Sequence, residues 1–145
     1  MRQLYYKQKR RIARLHEYIA NSRKDFLHKQ SRQITNAYDY IAVEDLNMKA
    51  MSQALNFGKS VSDNGWGMFV SFLAYKLHEQ GKQLIKTDKW FPSSKTCSDC
   101  SNIKQELSLS ERVYTCDCGN VLDRDINAAI NIRHEAIRLL GLCNA

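Results

Sequence analysis

The chain has 145 residues, 43% of them hydrophobic, which is enough for a folded core and too much for a disordered chain. Its formal net charge is +7, and no apolar run approaches the roughly 20 residues that a membrane-spanning helix needs. The N-terminus, Met1-Arg2-Gln3-Leu4-Tyr5-Tyr6-Lys7, lacks the apolar stretch of a secretory signal, so a cytoplasmic protein with no membrane partner is expected.

The charge is concentrated at one end. Residues 1–37 carry ten Lys or Arg against Glu17 and Asp25, a net of +8, and the rest of the chain nets −1. Residues 2–37 read as one long helix. Ile12, Leu15, Ile19, Phe26 and Ile34 recur near helical spacing, with no Gly or Pro among them. Arg10, Arg11, Arg14, Arg23, Lys24 and Arg32 fill its other faces. A basic block of this kind faces either solvent or a polyanion, and nucleic acid is the default polyanion.

Residues 38–43, Tyr-Asp-Tyr-Ile-Ala-Val, predict a short strand. Its near-continuous apolar run is the pattern of a strand covered on both faces. Glu44 and Asp45 follow at its C-terminal end. Residues 48–60 suggest a short helix and a loop. A second amphipathic helix is predicted over 62–80, with Trp66, Phe69, Val70, Leu73 and Leu77 on one stripe. Ser62 or Asp63 could cap it, and Gly81 stands where a helix stops. Residues 83–88 predict a second strand. A last helix is expected from about Asp125 to Leu140.

Four cysteines stand in two close pairs, Cys97-Ser98-Asp99-Cys100 and Cys116-Asp117-Cys118-Gly119. Two short cysteine turns joined by a hairpin can offer four thiolates to one zinc ion, the arrangement of a structural site. In a reducing compartment metal binding is the commoner use of such pairs, with disulfides or reduced core cysteines as the other readings. The second pair has one intervening residue where two are usual. That tightens the turn, and Gly119 can relieve the strain. Cys143 reads as a bystander.

Glu44 ends a strand and Asp125 opens a helix. Each has a plain explanation, since strand ends are exposed and Asp at a helix start compensates the dipole. Carboxylates drawn from separate elements are also how nucleases hold two Mg²⁺ ions.

Three motifs occur together and in order: residues 41–47, Ile-Ala-Val-Glu-Asp-Leu-Asn; residues 91–100, Phe-Pro-Ser-Ser-Lys-Thr-Cys-Ser-Asp-Cys; and Cys116-Asp117-Cys118-Gly119, followed by Asp123-Arg124-Asp125-Ile126-Asn127-Ala128-Ala129. This order resembles the TnpB (OrfB) proteins of bacterial insertion sequences, which are related to the type V CRISPR nucleases. The resemblance implies an α/β chain: a partial RNase H-like (RuvC-like) fold with an inserted zinc ribbon and its first three strands missing. It implies a division into 1–96 (partial RuvC-like domain), 97–122 (zinc ribbon) and 123–145 (last helix and tail). The family's three metal-binding acids would be matched here by Glu44 and Asp125, with Asp123 the second choice. The family's first Asp lies upstream of the basic helix, where this sequence offers no match. The expectation is therefore a C-terminal part of a transposase-associated, Mg²⁺-dependent DNA endonuclease. Zinc would be held by Cys97, Cys100, Cys116 and Cys118. The expected partners are DNA, a guide RNA and a separate N-terminal half, with little cutting by the chain alone. The other reading is a non-catalytic zinc-ribbon module that binds nucleic acid, left from a decayed element.

Overall fold

The computed structural model describes residues 2–47, 65–108 and 110–141. The expectations for residues 48–60, for a cap at Ser62 or Asp63 and for Cys143 lie outside the described residues. The elements follow in the order α1 (Arg2–Ala37), β1 (Tyr40–Glu44), α2 (Trp66–Glu79), β2 (Gln83–Thr87), β3 (Val113–Thr115), β4 (Val121–Asp123) and α3 (Arg124–Leu139). The class is mixed α/β. Two compact units form, residues 1–39 with 48–83 and residues 40–47 with 84–145.

The first unit is built on α1 and α2. Leu27, Ser31 and Thr35 recur every fourth residue along α1 and are all buried, and α2 contributes buried Leu73, Lys76 and Leu77. The two hydroxyls turn back onto their own helix, Ser31 Oγ to the Leu27 carbonyl at 2.7 Å and Thr35 Oγ1 to the Arg32 carbonyl at 3.2 Å. The α2 start is set by Gly65, at φ 68°. A Cβ there would press on the Leu27 methyl Cδ1 at 2.8 Å, and the left-handed backbone favours glycine whatever the space. The α2 end is a Schellman motif: the Lys82 N–H reaches the Leu77 carbonyl at 2.8 Å and the Gly81 N–H reaches His78 at 3.1 Å.

The periodicity of α1 is not what packs. Ile12, Leu15, Ile19 and Phe26 are 51–59% exposed. The buried face is Leu27 with the small polar Ser31 and Thr35, because the two short side chains let a second helix approach.

The second unit holds two sheets and α3. β1 and β2 are neighbours in one sheet. At one end the Gln83 N–H meets the Asp39 carbonyl, and at the other the Asp45 N–H meets the Thr87 carbonyl, both at 3.1 Å. The pairing advances in the same direction on both strands, so they are parallel. β3 and β4 form an antiparallel hairpin in the register Val113 to Asp123, Tyr114 to Leu122 and Thr115 to Val121. α3 packs on β1 and on this hairpin. The expectation that β1 is covered on both faces does not hold. Only Val43 is buried, and Tyr40 is 52% exposed. A two-stranded sheet under one helix has too little area above and below it to enclose a strand.

Candidate metal centre and carboxylate site

The chain builds the metal centre from two backbone turns. Leading into the first, the Cys97 N–H bonds the Asn102 carbonyl at 2.8 Å, and the Ser101 N–H closes back on Cys97 at 3.0 Å. Ser101 takes the left-handed conformation at φ 63°, an uncommon choice for a residue with a side chain. In the second turn the Cys116 N–H bonds Asn120 and the Gly119 N–H bonds Cys116, both at 2.9 Å. Gly119 sits at φ 94°, so the single-residue spacing between Cys116 and Cys118 is closed by the one residue type that adopts this backbone freely.

These turns bring the four thiols of Cys97, Cys100, Cys116 and Cys118 within 4.8 Å of one another. Sγ of Cys97 and Cys118 lie 3.7 Å apart, and Sγ of Cys100 and Cys116 lie 3.6 Å apart. A tetrahedron with metal–sulfur bonds of about 2.3 Å has edges of about 3.8 Å, so the quartet fits a thiophilic ion. The cysteines are free thiols. Burial alone would push the Cys97 thiol up, but the N–H groups of Cys100 and Asp99 and the Asn120 amide hold it down to about 6. Asn120 Nδ2 donates to Cys97 Sγ at 3.4 Å. Beneath the cluster Tyr114 is fully buried, its hydroxyl donating to the Lys95 carbonyl at 3.0 Å. Among the described residues this quartet is the one group of three or more His, Cys, Asp or Glu able to share an ion.

Of the candidate acids, Glu44 is the last residue of β1 and is half-buried. Its Oε1 accepts a hydrogen bond from Ser93 Oγ. Asp123 is the N-cap of α3, and its Oδ1 accepts the N–H groups of Asp125 at 2.8 Å and Ile126 at 3.2 Å. That carboxylate is spent on the helix it begins. Asp125 lies in the first turn with its side chain 81% exposed, and its nearest ion partner is Arg124 at 3.9 Å. The two helix-start acids thus differ in role: Asp123 caps the helix and Asp125 stands open.

A pair of asparagines connects these parts. Asn127 and Asn131 stand one turn apart on α3 and are both buried. Asn131 Nδ2 donates to the Ser93 carbonyl at 2.8 Å and to the Thr96 carbonyl at 2.6 Å. Asn127 Nδ2 also donates to Thr96, at 2.7 Å, while its Oδ1 accepts the Ser98 N–H at 3.0 Å. Residues 93–98 are therefore held along α3, with Ser93 reaching Glu44 at one end and Cys97 entering the thiol cluster at the other. Asp125 lies six residues before Asn131, about 9 Å along the helix axis. Sequence reasoning assigned no role to Ser93, Asn127 or Asn131. The signal available was the spacing of two asparagines by four in a helix, where that residue type needs a side-chain reason to be.

The six basic candidates all lie on α1. Arg10, Arg11, Arg14, Lys24 and Arg32 are exposed and Arg23 is half-buried. Arg32 pairs with Glu79 at 3.6 Å. No helix among the described residues is long and apolar enough to cross a membrane.

Two family models match the chain, "Cas12f1-like, TNB domain" over residues 66–132 and "Probable transposase", the OrfB type of IS605, over residues 2–55. The chain belongs to the TnpB/OrfB transposase family. It is 40% identical over 126 residues to a Streptomyces pristinaespiralis protein named "Putative RNA-guided DNA endonuclease", covering 87% of this chain and 31% of that one. It is 32% identical over 142 residues to "Putative RNA-guided DNA endonuclease InsQ" of Escherichia coli, covering 87% and 35%. The chain thus spans about a third of the length of the curated relatives it matches. Among solved structures it resembles the "Cryo-EM structure of the Cas12f1-sgRNA-target DNA complex", with a TM-score of 0.62 and 21% identity over 90% of this chain and 41% of that one. At that identity the likeness is one of fold.

Proposed function

We propose that this chain is part of an RNA-guided, Mg²⁺-dependent DNA endonuclease of the TnpB type, with a partial RuvC-like (RNase H-like) core and a zinc-binding ribbon. The family membership supports it, and one structural observation carries it. The Ser93–Thr96 segment, held by Asn127 and Asn131, joins Glu44, the helix that carries Asp125 and the cysteine cluster in one hydrogen-bonded network.

Glu44 and Asp125 would hold Mg²⁺. Their oxygen ligands and their exposure suit a hard ion that keeps several waters. Such an ion activates water and stabilises the leaving oxygen of a phosphodiester. Ser93 orients one oxygen of Glu44 and leaves the other for the metal. Asp123 caps α3 and holds the Asp125 backbone in place. Cys97, Cys100, Cys116 and Cys118 would hold zinc, a closed thiolate set with a structural role. Arg10, Arg11, Arg14, Arg23, Lys24 and Arg32 would contact the phosphates of DNA and guide RNA. A third acid is needed from another segment.

The test is a chimera in which this chain replaces the matching third of the Streptomyces pristinaespiralis relative. The chimera is expected to cut DNA with Mg²⁺. Glu44→Ala and Asp125→Ala should each abolish cutting while the zinc content stays unchanged. Cutting that survives both substitutions would overturn the assignment.

A further inference from the structure

Trp90 is the most open large apolar side chain among the described residues, at 79% exposed. Tryptophan is usually well buried, so an exposed one calls for a cause. Here the backbone holds it out. Asp88 Oδ1 accepts the Trp90 N–H at 2.7 Å, and the Asp88 carbonyl accepts the Phe91 N–H at 3.0 Å. The Ser93 N–H then bonds the Phe91 carbonyl at 2.8 Å. The chain on either side of the ring is therefore ordered while the ring stands in solvent. Lys89 Nζ lies 5.1 Å from the ring centroid. Three residues further on, Ser93 bonds Glu44 through its side chain and Asn131 through its carbonyl. Three residues span at most about 11 Å, which bounds the distance from Trp90 to Ser93 along the chain.

We propose that Trp90 is a stacking platform for an unpaired nucleobase, with Lys89 beside it for the adjoining phosphate, so that a single strand is led toward Glu44. This rests on the nucleic-acid reading above and deepens it. An aromatic face beside a cation is how proteins hold single strands without reading their sequence, since every base has a π-face. A base inside a duplex has both faces covered and cannot use the ring. An exposed tryptophan can also anchor a protein partner. The surroundings favour the polyanion, because residues 84–104 carry four lysines against Asp88 and Asp99.

The chain has two tryptophans, Trp66 and Trp90, so Trp66→Phe leaves Trp90 as the sole indole reporter. This variant is titrated with a short oligothymidylate while Trp90 emission is followed. Binding of the same oligonucleotide, dye-labelled, is measured separately by anisotropy. Emission should be quenched in step with binding. Trp90→Ala should weaken single-strand binding by roughly tenfold, Trp90→Phe should recover most of it, and duplex binding should not change. Far-UV circular dichroism and zinc content establish that each variant is folded. Binding with no change in Trp90 emission, and undiminished in Trp90→Ala, overturns the platform and leaves the nucleic-acid reading standing. An equal loss in Trp90→Phe, or an equal loss of duplex binding, also overturns it. Absence of binding to any oligonucleotide overturns both.

Discussion

Single residues decide how α3 meets the loop beside it. Asn131 is buried and gives its amide to two carbonyls at once, so truncation takes the donor from the buried Ser93 carbonyl, while the Thr96 carbonyl keeps the Asn127 amide. Asn131→Ala is expected to cost about 1–3 kcal/mol for the unpaired Ser93 carbonyl, a loss of several degrees in a thermal melt. Asn131→Asp should be worse, since it turns a carboxylate onto the carbonyls of Ser93 and Thr96. An Asp variant that melts with or above the Ala variant would contradict this. The metal centre yields a second test at this scale. Protein purified without chelator is expected to carry one zinc ion, and Cys116→Ser should lose it, as read by elemental analysis. Zinc binding contributes folding free energy, so a chelator should unfold the β3–β4 hairpin. Asn127 belonged to a recognised motif in the sequence, yet the partners of Asn127 and Asn131 were not legible there. Ser93 and Thr96 are more than thirty residues away, and only the approach of α3 brings them together.

Between elements, the α1–α2 contact encloses a buried lysine. Lys76 is 1% exposed and donates to the His28 carbonyl at 2.6 Å and Ser31 Oγ at 2.7 Å. Burial lowers its pKa from the usual lysine value, and the nearby Arg32 guanidinium adds to the shift. Between the lowered folded value and the ordinary one, the unfolded chain binds more protons than the folded one. Stability from this group therefore rises as pH is raised through that window, falls as pH is lowered back through it, and is constant below it. Lys76→Met removes the buried charge and keeps the volume, so the variant is expected to be as stable as the parent or more so at neutral pH. Its stability should also respond less to pH in the alkaline range. Denaturant unfolding of both proteins at neutral and alkaline pH measures this, and a strongly destabilised Met variant would overturn the account. Lys76 lies outside the apolar stripe read along α2 from the sequence, Trp66, Phe69, Val70, Leu73 and Leu77. Its burial follows from Ser31, which is small enough to admit the second helix and polar enough to accept the ammonium.

Across the whole molecule, the excess positive charge stays on α1, whose Arg10, Arg11 and Arg14 are exposed. Binding through this surface should be governed by phosphate contacts, so affinity should fall steeply with salt. Replacing Arg10, Arg11 and Arg14 with Glu should weaken binding to all sequences about equally and flatten that salt dependence. Anisotropy titrations at several salt concentrations test it, and an unchanged slope would remove α1 from the interface. Helix periodicity, charge distribution and cysteine spacing were all readable in the chain, because each depends on neighbours within a few residues. The reading placed a helix over 2–37 and four cysteines in one cluster. α1 spans Arg2–Ala37, and the quartet lies within 4.8 Å. Which face of α1 is buried was not readable, since the apolar stripe stays exposed and Leu27, Ser31 and Thr35 are covered instead. The sequence reading already ranked Asp125 before Asp123, and the folded helix start adds that the Asp123 carboxylate takes two free N–H groups of the first turn while the Asp125 side chain stays exposed. Local periodicity and composition act along the chain and are written there. Packing partners and the satisfaction of buried polar groups are decided by residues far apart in sequence, which only the tertiary structure brings together.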